Sequence, residues 1–228
     1  MIYKDFHYER LDLKKSKSIL NKIISDFKNA DSAKIQIEAI KEVDGFSREY
    51  MTYQAMASLN YSRDINDDSA KNEKDYYDSI SPDMREIYDR FDKVLHQSKF
   101  KSEIIDMFGD TFLNQIEINL KTFDSKIKGM LKEEIELKNE YTELTAGAKI
   151  EFEGKEYNLA GLGPFHSNVN RSVRKESYEA RFSWFKRNED ELDNIYDKLV
   201  NLRHKIAVTL GYKNFIELGY FRMGRSDY

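Results

Sequence analysis

Residues 194–228 read NIYDKLVNLRHKIAVTLGYKNFIELGYFRMGRSDY. Together with Leu192, the apolar residues Ile195, Tyr196, Leu199, Ile206 and Leu210 recur at the spacing of one helix face. Gly211 then stands where a left-handed helix end favours glycine. Just upstream, Asn188 followed three residues later by Glu191 has the form of a capping box.

The same period runs outward through most of the chain. Ile19, Leu20, Ile23, Ile24 and Phe27 form one stripe. Ile37, Ile40, Val43, Phe46, Tyr50 and Tyr53 form another, after a start at Asp31 or Ser32. Ser81-Pro82-Asp83 predicts a helix start: serine caps free amides, proline has no amide to lose at the first helical position, and aspartate suits the dipole. Met84, Ile87, Tyr88, Phe91, Val94 and Leu95 then face one way. Phe108-Gly109-Asp110 punctuates the next segment. The run from Phe112 to Leu144 reads as one long helix, or as two if Asp124-Ser125 restarts it.

One stretch breaks the period. Lys149–Leu159, KIEFEGKEYNL, alternates apolar and polar residues on both sides of Gly154, the pattern of a short β-hairpin. An isolated hairpin is marginal in water, so this one must lie on the helices. The expected fold is mainly α: a multi-helix assembly with one small hairpin. Its expected organisation is a helical N-terminal lobe over 1–148, the hairpin over 149–160 and a further helical segment over 161–228.

Composition narrows the classes of function. The 228 residues hold 37 Lys+Arg against 41 Asp+Glu, a formal net charge of −4. With interspersed signs there is no basic footprint for a phosphate backbone, so no nucleic-acid partner is expected. The absence of cysteine removes disulfides, thiol catalysis and thiolate zinc sites. Only 10 glycines and 2 prolines favour long helices over a turn-rich sandwich or barrel. Mean hydropathy is −0.74, and no run approaches the roughly 20 apolar residues of a membrane span. The start, MIYKDFHYERLDL, lacks the pattern of a signal peptide. The expectation is a cytoplasmic protein with no membrane partner.

A search for chemistry finds little. His7, His96, His166 and His204 include no HExxH and no Glu-x-x-His pair, which would set metal ligands on one helix face. The acidic run KEEIELKNEYTEL could hold a hard cation, but its interleaved lysines favour a solvated face. Gly161-Leu162-Gly163 is too short for a phosphate loop. Arg171, Arg174 and Arg181 share related faces of one helix. They can take a peptide carboxylate by bidentate pairing, or pair Glu176, Glu179 or Glu189, the reading favoured here. No catalytic residue and no metal ligand is assigned to this chain.

The ordered motifs carry a resemblance. Leu-Arg-x-x-Ile-Ala, then Leu-Gly-Tyr-x-Asn-Phe, then Gly-Tyr-x-Arg-Met-x-Arg-x-Asp-Tyr, all within residues 194–228, resemble the oligoendopeptidase F branch of the thimet-type zinc oligopeptidases. Phe6–Leu13, FHYERLDL, is similar to that family's Phe-x-Tyr-x-Arg-Pro-Asp opening, with Leu11 where proline is usual. Lys132–Leu159 resembles its Glu-Glu-x-x-Leu-x-x-Glu-Tyr helix and following hairpin. Arg171–Arg181, RSVRKESYEAR, resembles its arginine–tyrosine region, with Ser177 where alanine is common.

The resemblance implies the N-terminal part of a thimet-oligopeptidase-like fold, forming one wall of a channel for short peptides. In that family the zinc ligands, the general-base glutamate and the transition-state-stabilising tyrosine and histidine lie in the C-terminal half. The expectation is a truncated fragment that stops before that half, inactive alone, with zinc belonging to the complete protein and none in this chain. Oligopeptides are the implied substrate. Tyr220, Arg222, Arg225 and Tyr228, which lead towards the other lobe, are the substrate-channel candidates. The alternative for Arg222 and Arg225 is a structural pairing with Asp227 or Glu217. A second reading is a non-enzymatic helical interaction module that self-associates through the exposed interlobe face.

Overall fold

The structure is a computed structural model and describes residues 7–225. It is mainly helical: α1 (Leu13–Asn29), α2 (Ala33–Arg63), α3 (Asp68–His96), α4 (Lys101–Phe108), α5 (Asp110–Lys121), α6 (Lys128–Ala146), a hairpin β1 (Ile150–Phe152) and β2 (Lys155–Tyr157), then α7 (Gly163–His166), α8 (Arg171–Arg187), α9 (Glu189–Thr209) and α10 (Phe215–Arg222). The chain divides into two compact units, residues 1–132 with 204–228, and residues 133–203.

In the first unit, α1, α2 and α3 pack together, and α3 continues onto α5. Leu20, Phe27, Ile40, Tyr77, Met84 and Leu95 fill the core, and Phe27 meets Phe91 edge-on at 5.3 Å. The helix start expected at Ser81 is not there: α3 begins at the Asp67 cap, whose side chain accepts from the amides of Ser69 and Ala70, and it runs through Pro82. An internal proline forfeits a backbone hydrogen bond, at a cost of about 3 kcal/mol. Here the ring is fully buried inside the helix, in the core that also holds Ile80 and Met84. Position, not residue type, decides what this proline does.

Gly109, at φ +84°, separates α4 from α5, as the sequence indicates. Asp124 does restart the chain: its carboxylate accepts from the Lys126 amide and opens a 3-10 turn that leads into α6. The helix end at Gly211 is a Schellman motif. Gly211 takes φ +92°, the Tyr212 amide donates to the Ala207 carbonyl at 2.9 Å, and the Gly211 amide donates to Val208 at 3.0 Å. Asn188 does not form the expected box. Its amide group donates to the Trp184 carbonyl at 2.8 Å and closes α8.

The second unit carries the hairpin where the alternation placed it. Ile150 pairs with Tyr157 and Phe152 with Lys155. Glu153 and Gly154, both at positive φ, make the two-residue turn. Ala148, Ile150, Phe152, Leu162 and Trp184 form its core, and Phe165 meets Phe152 and Tyr157 edge-on at 5.0 and 5.2 Å.

Candidate functional site

Helix α10 brings two of the sequence candidates together. Asn214 caps it by accepting from the Ile216 amide at 2.9 Å. Gly224 at φ +69° ends it, and the Arg225 amide reaches back to the Tyr220 carbonyl at 3.0 Å. Tyr220 and Arg225 thereby line one pocket of 590 Å³, with Lys213, Asn214, Ile216, Glu217 and Phe221. Arg222 is not in that lining: its guanidinium lies 5.7 Å above the Phe215 ring. Tyr228 lies outside the described residues, as does Asp227. Tyr212, at the head of this segment, donates its hydroxyl to the Lys121 carbonyl at 2.9 Å. Burial, and then the Glu217 charge, raise its phenol above the ordinary value.

Beside α10, on α3 and α5, sits a buried charge cluster that the sequence did not announce. Arg85 donates to the Asn119 carbonyl at 2.9 Å and to the Thr122 hydroxyl at 3.0 Å. Asn119 donates in turn to Asp92 at 3.2 Å. Asp89 pairs Lys93 at 2.6 Å through one oxygen, while its other oxygen is buried with no hydrogen-bond partner. Burial pushes the Asp92 carboxyl up to about 6, against the pull of Asn119 and Arg85. Burial also lowers Arg85, Asp92 and Asp89 oppose that, and the charge of Arg222 adds to it. An unpaired buried oxygen costs about 1–3 kcal/mol, so this cluster taxes the fold.

Of the motif over residues 6–13, Phe6 lies outside the described residues, while Tyr8, Arg10 and Leu11 act as structural anchors. Tyr8 and Arg10 both donate to Glu73 of α3, Arg10 through Nε at 3.0 Å and through its terminal nitrogen. The Arg10 hydrogen bonds are the main cause holding Glu73 below its usual carboxylate range. Arg10 also lies 4.8 Å above the Tyr76 ring. Leu11, the departure from the family pattern, donates its backbone N–H to the Tyr77 hydroxyl at 3.2 Å. Proline could not make that bond.

Of the α8 arginines, Arg174 and Arg181 hold backbone, not the carboxylates expected for them. Arg174 donates to the carbonyls of Asn168 and Val169 at 2.6 and 3.0 Å, and Arg181 to that of Leu159 at 3.0 Å. They lock the loops before α8 in place. The neighbouring lysines take the acids instead: Lys175 pairs Glu179, and Lys186 pairs Glu189. Ser177, fully buried, satisfies its hydroxyl on the Arg174 carbonyl at 2.8 Å. That internal bond is how a serine replaces an alanine there.

The acidic run of α6 is only partly a solvated face. Glu133, Glu136, Glu140 and Glu143 are exposed. Glu134, one position along, has a side chain only 3% exposed and pairs Arg203 of α9 at 2.8 Å. Both partners belong to quoted motifs, Glu-Glu-x-x-Leu and Leu-Arg-x-x-Ile-Ala, so their pairing links two stretches far apart in sequence. His166 stacks on Tyr178 at 4.1 Å, and Tyr178 on Phe182 at 6.3 Å. Among the described residues, no three His, Cys, Asp or Glu side chains come together as a metal-holding group. His7 precedes α1 while His96, His166 and His204 lie on three different helices, and His96 faces Glu117 at 3.4 Å. These residues do not fit a zinc centre. Nor, among the described residues, is any helix long and apolar enough to cross a membrane.

Comparison with known proteins gives this geometry a family context. The sequence profile for the peptidase M3 N-terminal domain matches residues 3–123. Three solved structures superpose on the entire chain. One, assigned as an oligoendopeptidase F, shares 38% identity at a TM-score of 0.95, and this chain covers 100% of itself and 40% of that protein. A second, PZ peptidase A with an inhibitor, gives 37%, 0.95, 100% and 40% in the same order. The third, assigned as an oligoendopeptidase F from Bacillus anthracis str. Ames, gives 36%, 0.94, 100% and 42%. The chain thus spans about two-fifths of the length of the structures it matches. No curated protein matches the chain.

Proposed function

Because the chain belongs to the peptidase M3 family, we propose that it is the N-terminal region of a zinc-dependent oligoendopeptidase that cleaves internal bonds of short peptides. In this reading it forms one wall of the substrate channel and is inactive without the C-terminal catalytic half. The observation that carries the reading is the superposition of the whole chain on two-fifths of an oligoendopeptidase F, at 38% identity and a TM-score of 0.95. The pocket holding Tyr220 and Arg225 is the part of this wall best suited to touch a peptide: a phenol and a guanidinium offer a donor and a bidentate carboxylate partner beside apolar Ile216 and Phe221. Zinc would be held by residues of the catalytic half, since the described residues of this chain do not fit it.

The test is the purified chain with a quenched fluorogenic peptide and added zinc. No zinc-dependent cleavage, and zinc well below one per chain, is the expected result. Turnover that co-purifies with the chain and is lost on changing His96, His166 or His204 overturns the reading. A second reading, a helical interaction module, is favoured by one observation: Phe182 and Tyr196 are exposed aromatics on α8 and α9. Concentration-dependent self-association with no complementation by a catalytic half would support it.

A further inference from the structure

The exposed large apolar side chains are unevenly placed along the chain. Among the described residues five lie before residue 124 and ten at or after Tyr141. All the aromatic ones, Tyr141, Tyr178, Phe182, Tyr196 and Tyr220, are in the later group. The matched N-terminal domain profile ends at residue 123. The exposed aromatic side chains therefore all lie beyond the part of the chain that the profile matches. A soluble chain rarely exposes such groups in a contiguous patch unless something covers them.

In the second unit two of them, Tyr141 and Tyr196, line a groove. Tyr141 of α6 stands on one side, and Leu192, Ile195, Tyr196 and Leu199 of α9 on the other, with Phe185 of α8 also lining it. The groove encloses 660 Å³. Positions 192, 195, 196 and 199 are a continuous helical stripe whose Ile195 is buried, while Tyr196 at its rim is 68% exposed and Tyr141 opposite is 49% exposed. Two helices with such a furrow offer ridges and a groove of the dimensions that seat a third helix.

The larger part of each solved relative lies outside its match to this chain. We propose that the groove between α6 and α9 is the docking site for an apolar-faced helix of the polypeptide that completes the family fold. This assignment rests on the peptidase reading above, and it names the surface that the rest of the family fold would cover. It gives Tyr196 and Tyr141 the role of rim aromatics that close over a partner helix.

The test is a chimera in which this chain replaces the matched portion of the Bacillus anthracis relative, studied beside the chain alone and the relative's own unaltered protein. Hydroxyl-radical footprinting reads Tyr141 and Tyr196, with Met51, 61% exposed on α2, as the reference. In the chain alone all three should react. In the chimera, reactivity of Tyr141 and Tyr196 should fall at least tenfold while that of Met51 holds. Tyr196→Glu should leave the melting temperature of the chain alone unchanged, because the ring is exposed there, but should lower that of the chimera. An active chimera in which Tyr141 and Tyr196 stay reactive overturns the docking assignment and leaves the peptidase reading standing. An inactive chimera beside an active unaltered relative overturns both. Protection of the two tyrosines in the chain alone as it dimerises assigns the groove to a second copy, and also overturns the proposal.

Discussion

Replacing Arg203 by methionine should destabilise the chain by an amount the structure lets one work out. Arg203 pairs Glu134 at 2.8 Å, and the Glu134 side chain is 3% exposed while that of Arg203 is 35% exposed. Breaking a fully buried pair typically costs about 3–5 kcal/mol, because the remaining charge is stranded. Here one partner is partly in water, so about 2–3 kcal/mol is the expected loss. For a chain of this size that is roughly 4–12 °C in melting temperature. Methionine keeps most of the aliphatic packing of the arginine stem, so the effect reads the charge and not a cavity. The companion variant, Glu134→Leu with Arg203→Met, removes both charges and should return to within about 1 kcal/mol of the parent. Thermal and urea unfolding of the parent, the two single variants and the double variant complete the cycle. A single Arg203→Met that melts within 2 °C of the parent, or a double variant no better than that single, refutes the reasoning that this pair holds α6 to α9.

Three further outcomes follow from the same geometry. Asp92 is pushed from 3.8 up to about 6 by burial, so its stabilising contribution is present below pH 3.8 and is lost as pH rises through 6. Asp92→Asn should therefore melt close to the parent at pH 4 and above it at pH 7.5, with a gap of at most about 3 kcal/mol, and a pH-independent gap would contradict this. Tyr77→Phe strands the buried Leu11 amide and should cost about 1–3 kcal/mol in urea unfolding, which Leu11→Pro in the same background should not deepen by the loss of that bond. Gly211→Ala forces a side chain into φ +92° and should cost about 1–2 kcal/mol, whereas Gly45→Ala, inside α2 with nothing within 4 Å, should stabilise by up to about 1 kcal/mol.

Where the sequence was legible, a local rule decided the outcome. The period-2 alternation around Gly154 fixed the hairpin, and Gly211 marked a helix end, because both depend on residues close in the chain. Pro82 reads as a helix start because the sequence shows a proline but not its burial inside α3. Glu134 was hidden among exposed glutamates: only its distant partner Arg203 sets it apart. For Arg174 and Arg181 the sequence suggests carboxylate partners because side-chain types are visible in it, whereas their acceptors, the carbonyls of Leu159, Asn168 and Val169, are offered by every residue alike. Of the channel candidates, Tyr220 and Arg225 share a pocket because Gly224 turns the chain back, and Arg222 instead covers Phe215. The motifs that identify the family thus prove to be caps, helix ends and interhelical pairs, which explains how they can be present in a stretch with no metal-holding group among its described residues.

The most direct measurement is turnover of a quenched fluorogenic oligopeptide by the chain alone and by its chimera with the catalytic part of the Bacillus anthracis relative, each with zinc and with a chelator. The account predicts no cleavage by the chain alone and zinc-dependent, chelator-sensitive cleavage by the chimera. Zinc-dependent cleavage by the chain alone, abolished when its own histidines are replaced, would contradict it.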